Sequence, residues 1–165
     1  MSARLTLFAA ALVLFAAVAA GAFGAHTLAN KIATEGIAVW QSAVQYQAWH
    51  GLALFGVGLL MRDSPGRRGL IAAAWLFLAG ILMFSGSLYA LALTGTKSFG
   101  LVTPLGGIAF LAGWATLAAT IWKLCFDAFE EGSRTISFDA AGTALAPGVG
   151  GHDSSGPRAI IGPTA

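Results

Sequence analysis

The sequence predicts an all-α integral membrane protein: a four-helix bundle, N-in/C-in, with a short interfacial helix after the first span. Three observations predict it. The 165 residues are 57% hydrophobic and only 10% charged, whereas a soluble domain carries about a quarter charged residues. Four apolar stretches, at about residues 5–24, 43–61, 70–94 and 104–125, are long enough to cross a hydrocarbon core roughly 30 Å thick. The basic residues between them are lopsided: Arg4, Arg62, Arg67, Arg68, Lys123, Arg134 and Arg158 fall on one side, Lys31 and Lys97 on the other. The positive-inside rule assigns the richer side, and so both termini, to the cytoplasm.

The first span, Leu5–Gly24, is uncharged and follows Arg4. It exceeds the roughly 7–15-residue apolar core of a cleaved signal peptide, so it reads as a retained helix. Ala10, Ala17, Ala20, Gly21 and Gly24 share one side and invite close approach of a neighbouring helix. Thr27–Val39 carries Lys31 and Glu35 among Leu28, Ile32 and Ile37. It is too polar to span and reads as a loop with a brief interfacial helix.

The second span organises the chain. Gly51–Met61 is apolar but gives only about 16 Å of helix, so the span must begin near Ala43. That places Tyr46, Gln47 and His50 within the membrane. Trp40, Ala43, Tyr46, Gln47, His50, Gly51, Leu54 and Gly58 fall on one helical face, and Leu52, Phe55, Leu59 and Leu60 on the other. Polar groups are costly in hydrocarbon, so the first face must look into protein and the second into lipid.

Residues 62–68, rich in Arg, Pro and Gly, form a basic turn. In the third span Gly80 and Ser87 share a face, Ser85 and Tyr89 lie four apart on another, and Gly86 and Ala90 make a small-xxx-small pair. Thr103 and Pro104 suit the N-cap and first position of the fourth span. Gly106, Ala109 and Gly113 line one side of it, with Thr116 and Thr120 beside them. Residues 1–126 thus form the transmembrane domain. Residues 127–165, rich in Gly, Pro and Ala, read as a flexible cytoplasmic tail.

Chemistry is sparse. No phosphate-binding loop, zinc-protease helix or nucleophile elbow occurs. A net charge of +2 with scattered basic residues argues against nucleic acid, and the single cysteine, Cys125, excludes an internal disulfide. The sharpest candidate site is His50 with Tyr46, Gln47, Ser85 and Tyr89. An imidazole and a phenol suit a quinone carbonyl or a proton relay. The plainer reading is interhelical glue, with His50 bonding Ser85, Ser87 or Tyr89. His26 and His50 as axial haem ligands fit poorly, since His26 belongs at the surface and His50 about two turns deeper. No cofactor or metal is expected. Gly21, Gly24, Gly80, Ser87, Gly106, Gly107 and Gly113 are expected to pack helices.

Five blocks carry a family likeness: Gly21-Ala-Phe-Gly24-Ala-His26, Trp40-x-x-Ala43-Val-Gln-Tyr46-Gln-x-x-His50, Phe84-Ser-Gly-Ser-Leu-Tyr89, Thr103-Pro-Leu-Gly106-Gly107, and Gly113-Trp114. Over about residues 5–126 their order and spacing resemble the YgdD-like small membrane proteins, domain of unknown function 423. The resemblance implies a four-helix protein of the bacterial inner membrane and assigns no activity or catalytic residue.

These readings lead to a non-enzymatic accessory or assembly subunit of a larger membrane complex, in contact with lipid and held in part by the tail. The alternatives are a quinone- or lipid-binding or proton-relay protein built around His50, and a small-solute transporter or channel lined by Ser85, Ser87 and Thr116.

Overall fold

The computed structural model describes residues 1–135, Ser137–Phe138 and Ala144–Leu145, with side-chain surroundings given through residue 130. The chain divides into two compact units, Met1–Lys123 and Leu124–Ala165. The first holds the packing of four helices. In the second, the helical residues extend to Thr135, and Ser137–Phe138 pairs antiparallel with Ala144–Leu145. Helix therefore continues past the boundary expected at residue 126. The rest of the anticipated tail lies outside the described residues.

Helix α1 runs over Ala3–Phe23 and widens into a π turn, Gly24–Leu28. Ser2 caps its start, its hydroxyl accepting from the Leu5 amide at 3.4 Å. Helix α2 covers Thr34–Asp63, 30 residues and so about 45 Å. It begins nine residues before the expected start at Ala43, and no separate interfacial helix precedes it. The stretch assigned to that helix is the first turns of α2, because nothing from Thr34 to Ala43 breaks helical geometry. Gly66, at φ 78°, turns the chain toward α3.

Helix α3, Arg68–Thr94, is α-helical over Arg68–Gly80 and Gly86–Thr94 with a π turn, Ile81–Ser85, between them. Gly95, left-handed at φ 66°, ends it. Helix α4 covers Thr103–Thr135 after a short 3-10 turn, Lys97–Leu101. The Gly106 amide reaches the Val102 carbonyl, so the helix starts one residue earlier than a Thr103 N-cap allows. The Thr103 hydroxyl instead meets that of Ser87 at 2.8 Å, fastening α4 to α3.

Two antiparallel pairs make the bundle. Between α1 and α2, a β-carbon added to Gly58 would lie 2.7 Å from Leu7, to Gly51 3.0 Å from Val13 and Leu14, and to Gly24 2.6 Å from Trp40. Between α3 and α4, Gly69 abuts Thr120, Gly80 abuts Phe110, Gly106 abuts Phe84, and Gly113 abuts Phe77. Each contact requires that side chains be absent on one partner, which is how membrane helices approach closely. Gly107 and Gly86 differ from the others, since a β-carbon on either meets nothing within 4 Å.

Three helical stretches, Ala3–Leu28, Arg68–Thr94 and Lys97–Glu130, are long and apolar enough to cross a membrane. Helix α2 is more polar, carrying Gln41, Gln45, Gln47 and His50. It nevertheless runs alongside α1 from Trp40 to Met61. Its polar middle is tolerable because protein surrounds it: Gln47, His50, Gly51, Leu54, Val57 and Gly58 are buried, while Leu52, Phe55 and Leu59 face outward.

Candidate functional site

The polar centre of the bundle is built by α2, which touches each of the other helices there. Gln47 is the bridge. Its amide nitrogen donates to the Val13 carbonyl of α1 at 2.9 Å, and its amide oxygen accepts from the Tyr89 hydroxyl of α3 at 2.9 Å. The ring of Tyr89 lies against Trp40, centroids 4.5 Å apart, and the Trp40 indole donates to the Ala20 carbonyl at 2.9 Å. This network ties α1, α2 and α3 together toward the end of the bundle where α2 begins.

His50, one turn further along α2 and only 6% exposed, belongs to a different group. Its Nδ1 lies 2.8 Å from the Tyr46 carbonyl. A carbonyl only accepts, so Nδ1 carries the proton and Nε2 the lone pair. Nε2 has no hydrogen-bond partner among the described residues. The ring stacks on Phe110 of α4 at 3.4 Å and 12°, with Phe77 at 5.9 Å, Trp114 at 6.3 Å and Tyr46 at 5.9 Å. Tyr46 also stacks on Phe84 at 4.5 Å. His50 thus rests in an aromatic enclosure.

The expected site residues therefore separate. Gln47 and Tyr89 meet directly, Tyr46 and His50 stack together, and no hydrogen bond joins the two groups. The expected bonds from His50 to Ser85, Ser87 or Tyr89 do not form, because its donor turns back onto its own helix. Ser87 donates to the Phe84 carbonyl at 2.9 Å besides meeting Thr103. Ser85 is buried and its hydroxyl has no partner among the described residues. Thr116 lies toward the opposite end of the bundle from Ser87, so Ser85, Ser87 and Thr116 are not gathered into one lining. His26 is exposed in the π turn that ends α1.

The aromatic enclosure was not read from the sequence. Phe77 and Phe84 recur seven apart on α3, and Phe110 and Trp114 four apart on α4, spacings that place each pair on one helix face. That pattern was available, but equally compatible with outward, lipid-facing rings. No group of three or more His, Cys, Asp or Glu able to hold a metal occurs among the described residues.

Comparison with known proteins gives no solved structure that matches. The profile of a family described as "Protein of unknown function (DUF423)" matches residues 20–107. The UPF0382 membrane protein YwdK of Bacillus subtilis is 44% identical over 107 residues, 65% of this chain and 87% of its own length. The UPF0382 membrane protein SAB0533 of Staphylococcus aureus is 42% identical over 120 residues, 73% of this chain and 97% of its own. The UPF0382 inner membrane protein YgdD of Escherichia coli is 43% identical over 120 residues, 71% of this chain and 88% of its own. The residues matched by the family profile include Gln47, Tyr89, Tyr46, His50 and the Gly106–Phe84 contact, and stop short of Phe110, Gly113 and Trp114. With its apolar helices and this likeness over most of the relatives' length, the chain is a membrane protein and belongs to the DUF423 family.

Proposed function

We propose that this protein is a non-enzymatic accessory or assembly subunit of a larger membrane complex. The observation that carries this reading is an unused small-residue face on α3. Gly80, Gly106 and Gly113 are all spent on contacts within the bundle, but Gly86 is exposed and a β-carbon there meets nothing within 4 Å. Gly86 and Ala90 lie one turn apart, flanked by Leu82 and Leu93, which are 74% and 55% exposed. A shallow gap between projecting leucines suits a helix of another membrane protein, since small residues permit close backbone approach in lipid. The internal polar groups support the same reading, because Gln47, Tyr89, Ser87 and Thr103 hold one another. The residues after 126 then add a second contact with the partner.

Cysteine cross-linking in native membranes tests this. In a Cys125→Ser background, Gly86→Cys is expected to give a discrete cross-linked species, with Leu12→Cys on the lipid face of α1 as control. Gly86→Leu is expected to dissociate the corresponding complex in native mass spectrometry of gently solubilised membranes. A strictly monomeric protein, or equal cross-linking from both positions, overturns the reading.

A second reading, a quinone or lipid headgroup or a proton held near His50, is supported by the bare Nε2 of His50 and the unpartnered Ser85 hydroxyl. An absorbance spectrum and solvent extraction of the purified protein test it. Absence of any stoichiometric quinone or lipid that is lost in His50→Phe removes the ligand form of this reading.

A further inference from the structure

We propose that the basic cleft between the start of α3 and α4 binds the phosphate headgroup of an anionic phospholipid. The cleft has a volume of about 500 Å³ and is lined by Arg67, Arg68, Gly69, Thr116, Thr120 and Lys123. Three of these side chains are cationic and none is a carboxylate. Gly69 shapes its floor: a β-carbon there would collide with the Thr120 hydroxyl, so the first turn of α3 comes against α4 only because the residue is glycine.

The donors converge on one kind of ligand. Arg68 presents a planar guanidinium group suited to paired phosphate oxygens, Arg67 adds positive charge to the cleft wall, and Lys123 adds a point charge from the facing helix. The first amides of α3 open at the same place with no partner inside the helix. The Thr120 hydroxyl donates to the Thr116 carbonyl at 2.7 Å, leaving its oxygen able to accept from a headgroup hydroxyl.

Position selects a lipid over a soluble anion. The cleft lies at the end of the bundle that also bears Arg4 and Arg62, where Trp122 and Ile121 are exposed beside Lys123. Tryptophan and lysine together mark a headgroup boundary, and acyl chains of a bound lipid would run along the exposed apolar face of α4 through Ile108 and Leu105. Basic pockets between spans on the cytoplasmic side are the geometry that holds such headgroups. The basic residues thus do more than fix orientation.

The test is native mass spectrometry of the full chain from nanodiscs containing equal dioleoyl phosphatidylglycerol and dioleoyl phosphatidylethanolamine. The wild type is expected to retain phosphatidylglycerol preferentially. Arg68→Gln and Lys123→Gln are each expected to weaken retention about fivefold, the effect of removing one basic charge near a membrane surface. Ala119→Trp, which fills the cleft without changing charge, is expected to weaken it as well. Arg4→Gln, at the same end but outside the cleft, is expected to leave it unchanged, with circular dichroism confirming that each variant folds. An equal loss in Arg4→Gln, no preference for the anionic lipid, or displacement of the lipid by millimolar inorganic phosphate overturns the proposal.

Discussion

The Tyr89 hydroxyl donates to the side-chain oxygen of Gln47 at 2.9 Å, and the other end of the same amide reaches the α1 backbone at Val13. One side chain of α2 therefore joins three helices. An amide does this better than an imidazole here, because it offers a donor and an acceptor a short distance apart on a flexible stem.

This bond is expected to be measurable as a coupling. In a double-mutant cycle of Gln47→Leu and Tyr89→Phe, the interaction energy should be about 0.6 kcal/mol and no more than about 1.7 kcal/mol, the range of interhelical hydrogen bonds in membranes. Reversible unfolding in mixed micelles reads it. A coupling indistinguishable from zero would show that the two side chains do not bond.

Neighbouring glycines on α4 should behave oppositely. A β-carbon at Gly106 would lie 2.7 Å from the Phe84 Cβ and 2.8 Å from its Cα, where backbone cannot yield cheaply. Gly106→Ala is expected to cost about 1–3 kcal/mol through overpacking. Gly107→Ala meets open space, and the helical preference of alanine should make it neutral or stabilising by about 0.5–1 kcal/mol. Thermal melts of the two variants in one detergent compare them directly. Equal shifts would contradict the α3–α4 register.

The two buried serines should also part. Ser87→Ala removes the hydroxyl shared with Thr103 and is expected to lower stability by about 1 kcal/mol. Ser85→Ala removes a buried hydroxyl that has no partner, and is expected to leave stability unchanged or raise it. A larger loss from Ser85→Ala than from Ser87→Ala would reveal a ligand or water on Ser85, and would favour the His50 site over a purely structural interior.

The His50 ring is expected to hold its proton on Nδ1. Nitrogen-15 NMR of histidine-labelled protein in bicelles distinguishes the two tautomers, with the His50→Gln variant assigning the signal. Protonation at Nε2 would mean that the Tyr46 carbonyl is not its partner.

The four long helices and the buried face of α2 were legible in the sequence because they follow from local periodicity. Burial of Ala43, Gln47, His50, Leu54 and Gly58 on one side follows from the 3.6-residue repeat alone. The start of α2 was not legible. Hydrophobicity marks where a helix can meet lipid, and Thr34–Ser42 continues the helix without being apolar enough to show it. The glycine contacts were half legible: small residues advertise close approach, but not which ones find a partner. Gly106 meets Phe84, whereas adjacent Gly107 meets open space, because the next residue on a helix is turned by about 100°.

By itself the sequence determined that this protein lives in a membrane and that the polar face of α2 must be sheltered, since hydrocarbon offers polar groups no partner. Tertiary structure alone decided that Gln47 takes Tyr89 while His50 turns to its own backbone beneath Phe110. Pairing across helices depends on their relative rotation and axial offset. On α3 the π turn over Ile81–Ser85 resets that rotation, so no local repeat could have announced the outcome.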